Sequence, residues 1–311
     1  MSRYVRLVKA VLIACERACI PLYSSRYSRR DYTQHQHTVL LVLKGRLRKD
    51  YREFTEDFLP VSRPILDVLG LDKIPHFTTL NKFLLRIRGS LLERILLSFL
   101  SLIPISRLMI GIDSTGMKLG RASHHYIETV KGKLRVRKHM KLTFTTELRS
   151  QMMCSLLVRR ERRSDQKDLK PCLRKLGKKK VEAVIGDKGF DSELNHRFIR
   201  EEMKAVSIIK PRNLEVPVHR TKGMYRKLMK KLWNSLKKEY GKRNICETAL
   251  SVLKRKLGEE ITSRRVKAQN NEQRIKAIAY NAHRAVVLGI LELVVKVFYR
   301  ASKTIILYIT I

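Results

Sequence analysis

The sequence predicts an α/β fold, a mixed sheet flanked by helices, preceded by an all-helical N-terminal domain. Three observations carry this expectation. The first hundred residues place apolar side chains three and four apart, as in Val39, Leu40, Leu43 and Leu47. The texture changes near Arg107, after which short apolar runs alternate with turn-forming clusters. Two of those runs, Leu108–Asp113 and Val181–Asp187, end in an aspartate. A chain of 311 residues is long enough to bury a core without disulfide or metal staples.

The elements follow in order. Pro60 and Pro64 bracket a turn, and Gly70 and Pro75 separate short helices. Pro75 to Arg86 predicts a helix, with Thr78 or Thr79 supplying the cap oxygen for its first amides. A short helix, a glycine turn and a capped basic helix suit a helix-turn-helix element; an ordinary helical bundle with a basic surface suits the same residues. Leu108–Asp113 then reads as a buried strand. Lys133–Lys141 is basic and irregular, and strands are expected over Leu142–Leu148 and Met152–Val158. A helix over about Asp168–Leu176 leads to the second strand that ends in an acid, Val181–Asp187, and then to a strand over Ala205–Ile209. Residues 212–243 are extremely basic. Helices are expected over about Arg243–Leu257 and Asn271–Val295.

Charge narrows the function. Lys and Arg number 67 against 28 Asp and Glu, a net charge of +39. Such an excess attracts polyanions and argues against an enzyme for small metabolites. Nucleic acid is the leading partner class, and an anionic membrane surface the second. Cys15, Cys19, Cys154, Cys172 and Cys246 form no CxxC pair, so zinc ribbons and fingers have no support. All five read as reduced thiols of a cytoplasmic protein, mostly buried. The start of the chain lacks a convincing secretory signal, because Glu16 and Arg17 interrupt its short apolar stretch. The tail from Ala285 to Ile311 is apolar, but Glu292, Lys296, Arg300 and Lys303 break it, which favours a buried or partner-covered helix over a membrane anchor. His124, His125 and His139 lack metal-ligand spacing, and Gly111–Gly120 matches neither a P-loop nor a dinucleotide fingerprint.

The acids carry the chemistry. Asp113 lies in Ile-Asp-Ser-Thr-Gly and Asp187 in Gly-Asp-Lys-Gly-Phe-Asp. Strand ends of α/β sheets gather ligands, and small residues let a backbone approach closely. Adjacent carboxylates repel unless a cation bridges them, and a hard divalent cation such as magnesium does so. A third acid, Glu247, shares a helical stripe with Tyr240, Arg243 and Lys254 if one helix extends that far, although Gly241 weakens its first turn. The bland reading of Arg243 and Glu247 is a surface pair. Asp191 is a reserve candidate for the site; capping a helix near Ser192 is its plainer role.

These residues carry a resemblance. The chain resembles insertion-sequence DDE transposases, whose catalytic domain is ribonuclease-H-like. The matching features are the strand-borne Asp113, the turn Asp187-Lys188-Gly189-Phe190-Asp191, and a Y-x2-R-x3-E-x6-K signature met by Tyr240, Arg243, Glu247 and Lys254. The resemblance runs from about Tyr32 to Arg284, and Tyr27–Gln34 is also similar to archaeal and bacterial members. Where the group often has His-Asp after the middle strands, this chain has Ser164-Asp165, so Asp165 is given no catalytic role.

The resemblance implies three domains: a helical, DNA-binding residues 1–104, a ribonuclease-H-like catalytic residues 105–284, and an apolar tail 285–311. It implies that Asp113, Asp187 and Glu247 are the catalytic, metal-binding triad, with Asp113 bridging two Mg2+ ions for which Mn2+ substitutes. Tyr240, Arg243 and Lys254 would contact DNA near the cut. The basic run that includes Arg226, Lys227, Lys230 and Lys231 would grip the backbone. Trp233 within that run reads as a packing anchor. The implied partners are the terminal inverted repeats and target DNA, held by a homodimer in the cytoplasm. No small-molecule substrate or membrane role is implied. A ribonuclease-H-like nuclease without joining activity and a non-catalytic DNA-binding protein remain the alternatives.

Overall fold

The computed structural model describes residues 2–120, 139–160 and 163–290. His124, His125 and most of the tail lie outside them. The chain divides into two units, one formed by residues up to Pro104 with those from Ile278 onward, the other by Ile105–Ala277.

The first unit is helical because its apolar stripes are capped at their starts. In α1 (Arg3–Arg17) the Ser2 hydroxyl accepts from the Val5 amide at 3.3 Å, and Val5, Val8, Val11 and Cys15 form a buried face. In α2 (Gln34–Leu47) Thr33 and Gln36 cap each other's amides at 3.1 and 2.7 Å. Val39, Leu40 and Leu43 are fully buried there, as the spacing predicts. Helix α3 (Arg63–Leu69) stops at Gly70, whose φ of 58° suits a residue without a Cβ. Helix α4 (Phe77–Arg86) is capped by His76 rather than by Thr78 or Thr79. The His76 ring accepts from the Thr78 amide at 3.4 Å, and the two threonines fall inside the first turn. Helix α5 (Gly89–Ser98) follows.

The second unit is built on one strand. β1 (Leu108–Leu119) pairs antiparallel with β2 (His139–Glu147), which pairs antiparallel with β3 (Met152–Arg159). On its other side β1 runs parallel to β4 (Val181–Gly186), which is parallel to β5 (Val206–Ile209). The order is β3-β2-β1-β4-β5, with β6 (Glu260–Ile261) parallel to the far end of β1. Helices α6 (Asp165–Arg174), α7 (Glu193–Arg197), α8 (Met224–Gly241) and α9 (Asn244–Leu257) belong to the same unit. Helix α10 (Val266–Val287) begins in it, and its residues from Ile278 group with the first unit. The mixed sheet with flanking helices and a helical N-terminal region is the architecture the sequence predicts.

One difference from the sequence reading matters. β1 does not end at Asp113 but continues to Leu119, because the β2 pairing runs on to Lys118↔His139. What ends at Asp113 is the parallel ladder, whose last pair is Ile112↔Gly186. β6 takes up that edge only at Lys118↔Glu260. Among the described residues, Asp113–Met117 therefore have a strand neighbour on the β2 side alone. The sheet has a notch there.

Candidate active site

The notch explains how the first two acids meet. β1 and β4 are neighbours in parallel register, so the residues after Ile112 and Gly186 leave the ladder together. They are Asp113 and Asp187. With no β4 residue opposite it, the Ser114 amide donates to Asp113 Oδ1 at 2.8 Å and fixes that carboxylate. Asp187 is fixed from another direction, by the Tyr240 hydroxyl, which donates to its Oδ1 at 3.2 Å.

Glu247 arrives on α9, which packs against β1 at Gly111. A Cβ there would collide with the Cys246 sulfur and come within 2.7 Å of Leu148. Only glycine permits this approach, which seats the neighbour of Glu247 on the strand that carries Asp113. Cys246 is fully buried, and burial, with Asp113 nearby, pushes its thiol up to about 12, so it packs as a neutral group.

Arg243 links the acids. Its Nη1 lies 3.6 Å from Asp113 Oδ2, and its Nη2 donates to Glu247 Oε1. The surface pair expected of Arg243 and Glu247 is present, but it extends into the site. Burial works against the Arg243 charge, yet Tyr240, Glu247, Asp113 and Asp187 outweigh it and raise the guanidinium's pKa. Asp113 is raised as well. Burial is the main cause; the Ser114 amide and Arg243 oppose it, and Glu247 and Asp187 add to it. Tyr240 is pushed up to about 12 by burial and then by Asp187. All three acids of the expected triad thus fall within one electrostatic neighbourhood.

Tyr240 reaches it from a different element. The Tyr240–Lys254 stripe is not one helix: Tyr240 lies in the last turn of α8, and Arg243, Glu247 and Lys254 belong to the start and body of α9. Buried Trp233 meets Tyr240 edge-on at 5.0 Å and holds its ring, as a packing anchor would. Lys254 stands two turns beyond Glu247, with Nζ 4.0 Å from Glu259.

The basic run is more heterogeneous than its sequence. Arg226 donates from Nε and Nη2 to Asp191, each at 3.1 Å, which satisfies a carboxylate that is 2% exposed. Burial alone would raise Asp191, but His196, Arg226 and the Arg212 amide hold it down at about 2. Asp191 is therefore neither a member of the acid group nor a helix cap; Ser192 caps α7 through the Asn195 amide. Lys230 donates to the Val216 carbonyl at 2.7 Å. Lys231 is exposed and Lys227 half-buried.

One residue set aside in the sequence stands beside the site. Asp165 Oδ1 accepts from the Ser114 hydroxyl at 2.8 Å and from Lys141 at 2.7 Å, and its Oδ2 lies 2.8 Å from where a Cβ of Gly189 would be. It spans the segments that carry Asp113 and Asp187. The signal for it was the polar Ser114 directly after the first acid.

Asp113 and Glu247 share one guanidinium, the Asp187 charge acts on it from nearby, and carboxylate oxygens are the donors a hard divalent cation prefers. The donor set fits such an ion. As arranged, no three His, Cys, Asp or Glu side chains among the described residues lie together as a metal-holding cluster.

A five-stranded mixed core of this order, with helices flanking it, is consistent with a ribonuclease-H-like fold. The chain belongs to the Transposase DDE domain family, whose model matches residues 106–282. It is a transposase. No curated protein matches the chain.

Proposed function

We propose that this transposase binds the terminal inverted repeats of its own insertion sequence, cleaves DNA phosphodiester bonds there, and joins the freed 3′-OH ends to target DNA. The observation that carries the reading is that Arg243 faces both Asp113 and Glu247, while Asp187 leaves the parallel ladder beside Asp113. Asp113, Asp187 and Glu247 would hold two Mg2+ ions, or Mn2+ in their place. When bound, such ions activate the attacking oxygen and stabilise the leaving 3′ oxygen. The chain's own residues do the rest. The Ser114 amide and Tyr240 hold the carboxylates in place. Lys254, Lys227 and Lys231 grip phosphates near the cut, in a chain whose charge of +39 concentrates DNA around it. Arg226 and Lys230 act indirectly, by anchoring α8.

The helical residues 1–104 recognise the repeats in this reading, with α3, the Gly70 turn and α4 as the reading element and Lys82 and Arg86 exposed on it. In the same reading residues 105–284 are assigned to the catalytic domain and the apolar residues 285–311 to a tail. Joining requires two ends held together, so the DNA-bound form is a homodimer, at work in the cytoplasm on the nucleoid. No helix among the described residues is long and apolar enough to cross a membrane.

The test is cleavage of a labelled duplex carrying the element's terminal repeat, with Mg2+ or Mn2+, at low salt. Wild type should nick at the repeat boundary and form strand-transfer products, and Asp113→Ala should do neither. Nicking without transfer products would favour a nuclease. Binding without cleavage by either protein would favour a non-catalytic DNA-binding protein.

A further inference from the structure

We infer that Arg243 is a built-in counter-ion that competes with divalent metal for Asp113 and Glu247, and that a DNA phosphate draws it away, so that metal and DNA bind cooperatively. The inference rests on the reading of these acids as metal ligands.

The geometry is specific. Arg243 is bonded to Glu247, lies 3.6 Å from Asp113, and is as shielded as Asp113, each side chain being 18% exposed. A guanidinium cannot lose its proton at ordinary pH, so it vacates the acids only by moving. While it stays, a metal ion at Asp113 would sit against a fixed like charge and find two of its three carboxylates already engaged. The residue is placed to move. It is the junction between α8 and α9, preceding the first helical residue, Asn244, and its long side chain alone makes these contacts. The exposed side of the cluster is at Glu247, 55% exposed, which is where a phosphate can approach. Phosphate offers Arg the same two-pronged acceptor that the carboxylates do.

Exchange of one cation for another keeps the acids neutralised in both states. Without DNA, the arginine holds them. With DNA, the arginine turns to phosphate and the metal takes the acids. Reciprocity then requires that metal tighten DNA binding by the same factor by which DNA tightens metal binding.

Mn2+ binding to the full chain, followed by titration calorimetry and by the free-ion paramagnetic resonance signal, tests this without any cleavage. In the absence of DNA, Arg243→Gln should bind Mn2+ on the order of tenfold more tightly than wild type. Arg243→Lys should fall between them, because a single ammonium cannot span both acids. Adding a cleavage-resistant phosphorothioate duplex should tighten Mn2+ binding to wild type by a similar factor and leave Arg243→Gln unchanged. Equal or weaker Mn2+ binding by Arg243→Gln, or an undiminished effect of DNA on it, would overturn the inference. If the glutamine variant does not fold, Mn2+ binding by the lysine variant equal to wild type would do the same. Asp113→Asn separates the two levels: if it binds Mn2+ as wild type does, the acids are not the ligands and the reading beneath the inference fails.

Discussion

Asp168 and Asp191 differ from Asp113, Asp187 and Glu247 in how completely their charge is answered. Asp168 is fully buried and receives Lys141 at 2.8 Å and Arg159 at 2.6 Å. Asp191 is held by Arg226, His196 and a backbone amide. Each of these acids has its own set of partners and no opening to solvent. Of the three acids of the expected triad, Asp113 and Glu247 share Arg243, Asp187 has the Tyr240 hydroxyl, and all are partly exposed. A buried carboxylate with a full complement of donors is architecture, since its removal from water must be offset in place. An under-compensated group at an open edge keeps charge that an outside partner can answer. Acid count alone would not separate the two groups; the ratio of acids to partners does.

Four measurements sharpen or break this contrast. The largest effect is expected at the notch: Glu247→Gln should lower DNA cleavage on the order of 10^4-fold, as loss of one member of a catalytic group does, while DNA binding stays near normal. Retained cleavage would remove Glu247 from the triad. On the other side of the contrast, Arg226→Ala should cost about 3 kcal/mol of stability by stranding Asp191, visible as a lower denaturant midpoint. A variant as stable as wild type would show that His196 and the Arg212 amide suffice for Asp191. Acid should act on the same group. The folded pKa of Asp191 is depressed from 3.8 to about 2, so its contribution is present above pH 4 and lost as pH falls toward 2. The loss should be on the order of 2 kcal/mol, and Asp191→Asn should flatten it in urea melts taken across that range. The smallest effect is expected for Tyr240→Phe, which should lower cleavage about tenfold by freeing Asp187 and leave the melting temperature unchanged. A large loss of stability instead would make Tyr240 part of the architecture.

Much of this was legible in the sequence, and the failures have physical causes. The apolar runs before Asp113 and Asp187 mark strands because β1 and β4 are buried at the centre of the sheet. The end of β1 was misplaced because a strand's length is set by its longest partner, and β2 extends past the acid where β4 does not. The four signature residues were found by spacing, and their shared stripe required one helix reaching back to Tyr240, which Gly241 already weakened. Gly241 and the break before Asn244 put Tyr240 on α8, and tertiary packing still brings its hydroxyl to Asp187. Arg226 and Lys230 looked like free cations because their acceptors, Asp191 and the Val216 carbonyl, are distant in sequence. Asp165 was set aside because Ser164 stands where the resembled group often has His, and its contact with Ser114, 51 residues away, is not visible in the sequence.

The notch has one more consequence. A strand edge without a neighbour is normally a risk, because another chain can add itself there and seed aggregates. Asp113–Met117 is a short stretch of such edge, closed at one end by β4 and at the other by β6. At about 3.3 Å per residue it spans about 17 Å, one short strand at most, and the Ser114 amide is already taken by Asp113. An incoming strand would meet an edge walled at both ends by β4 and β6 and already short of one donor.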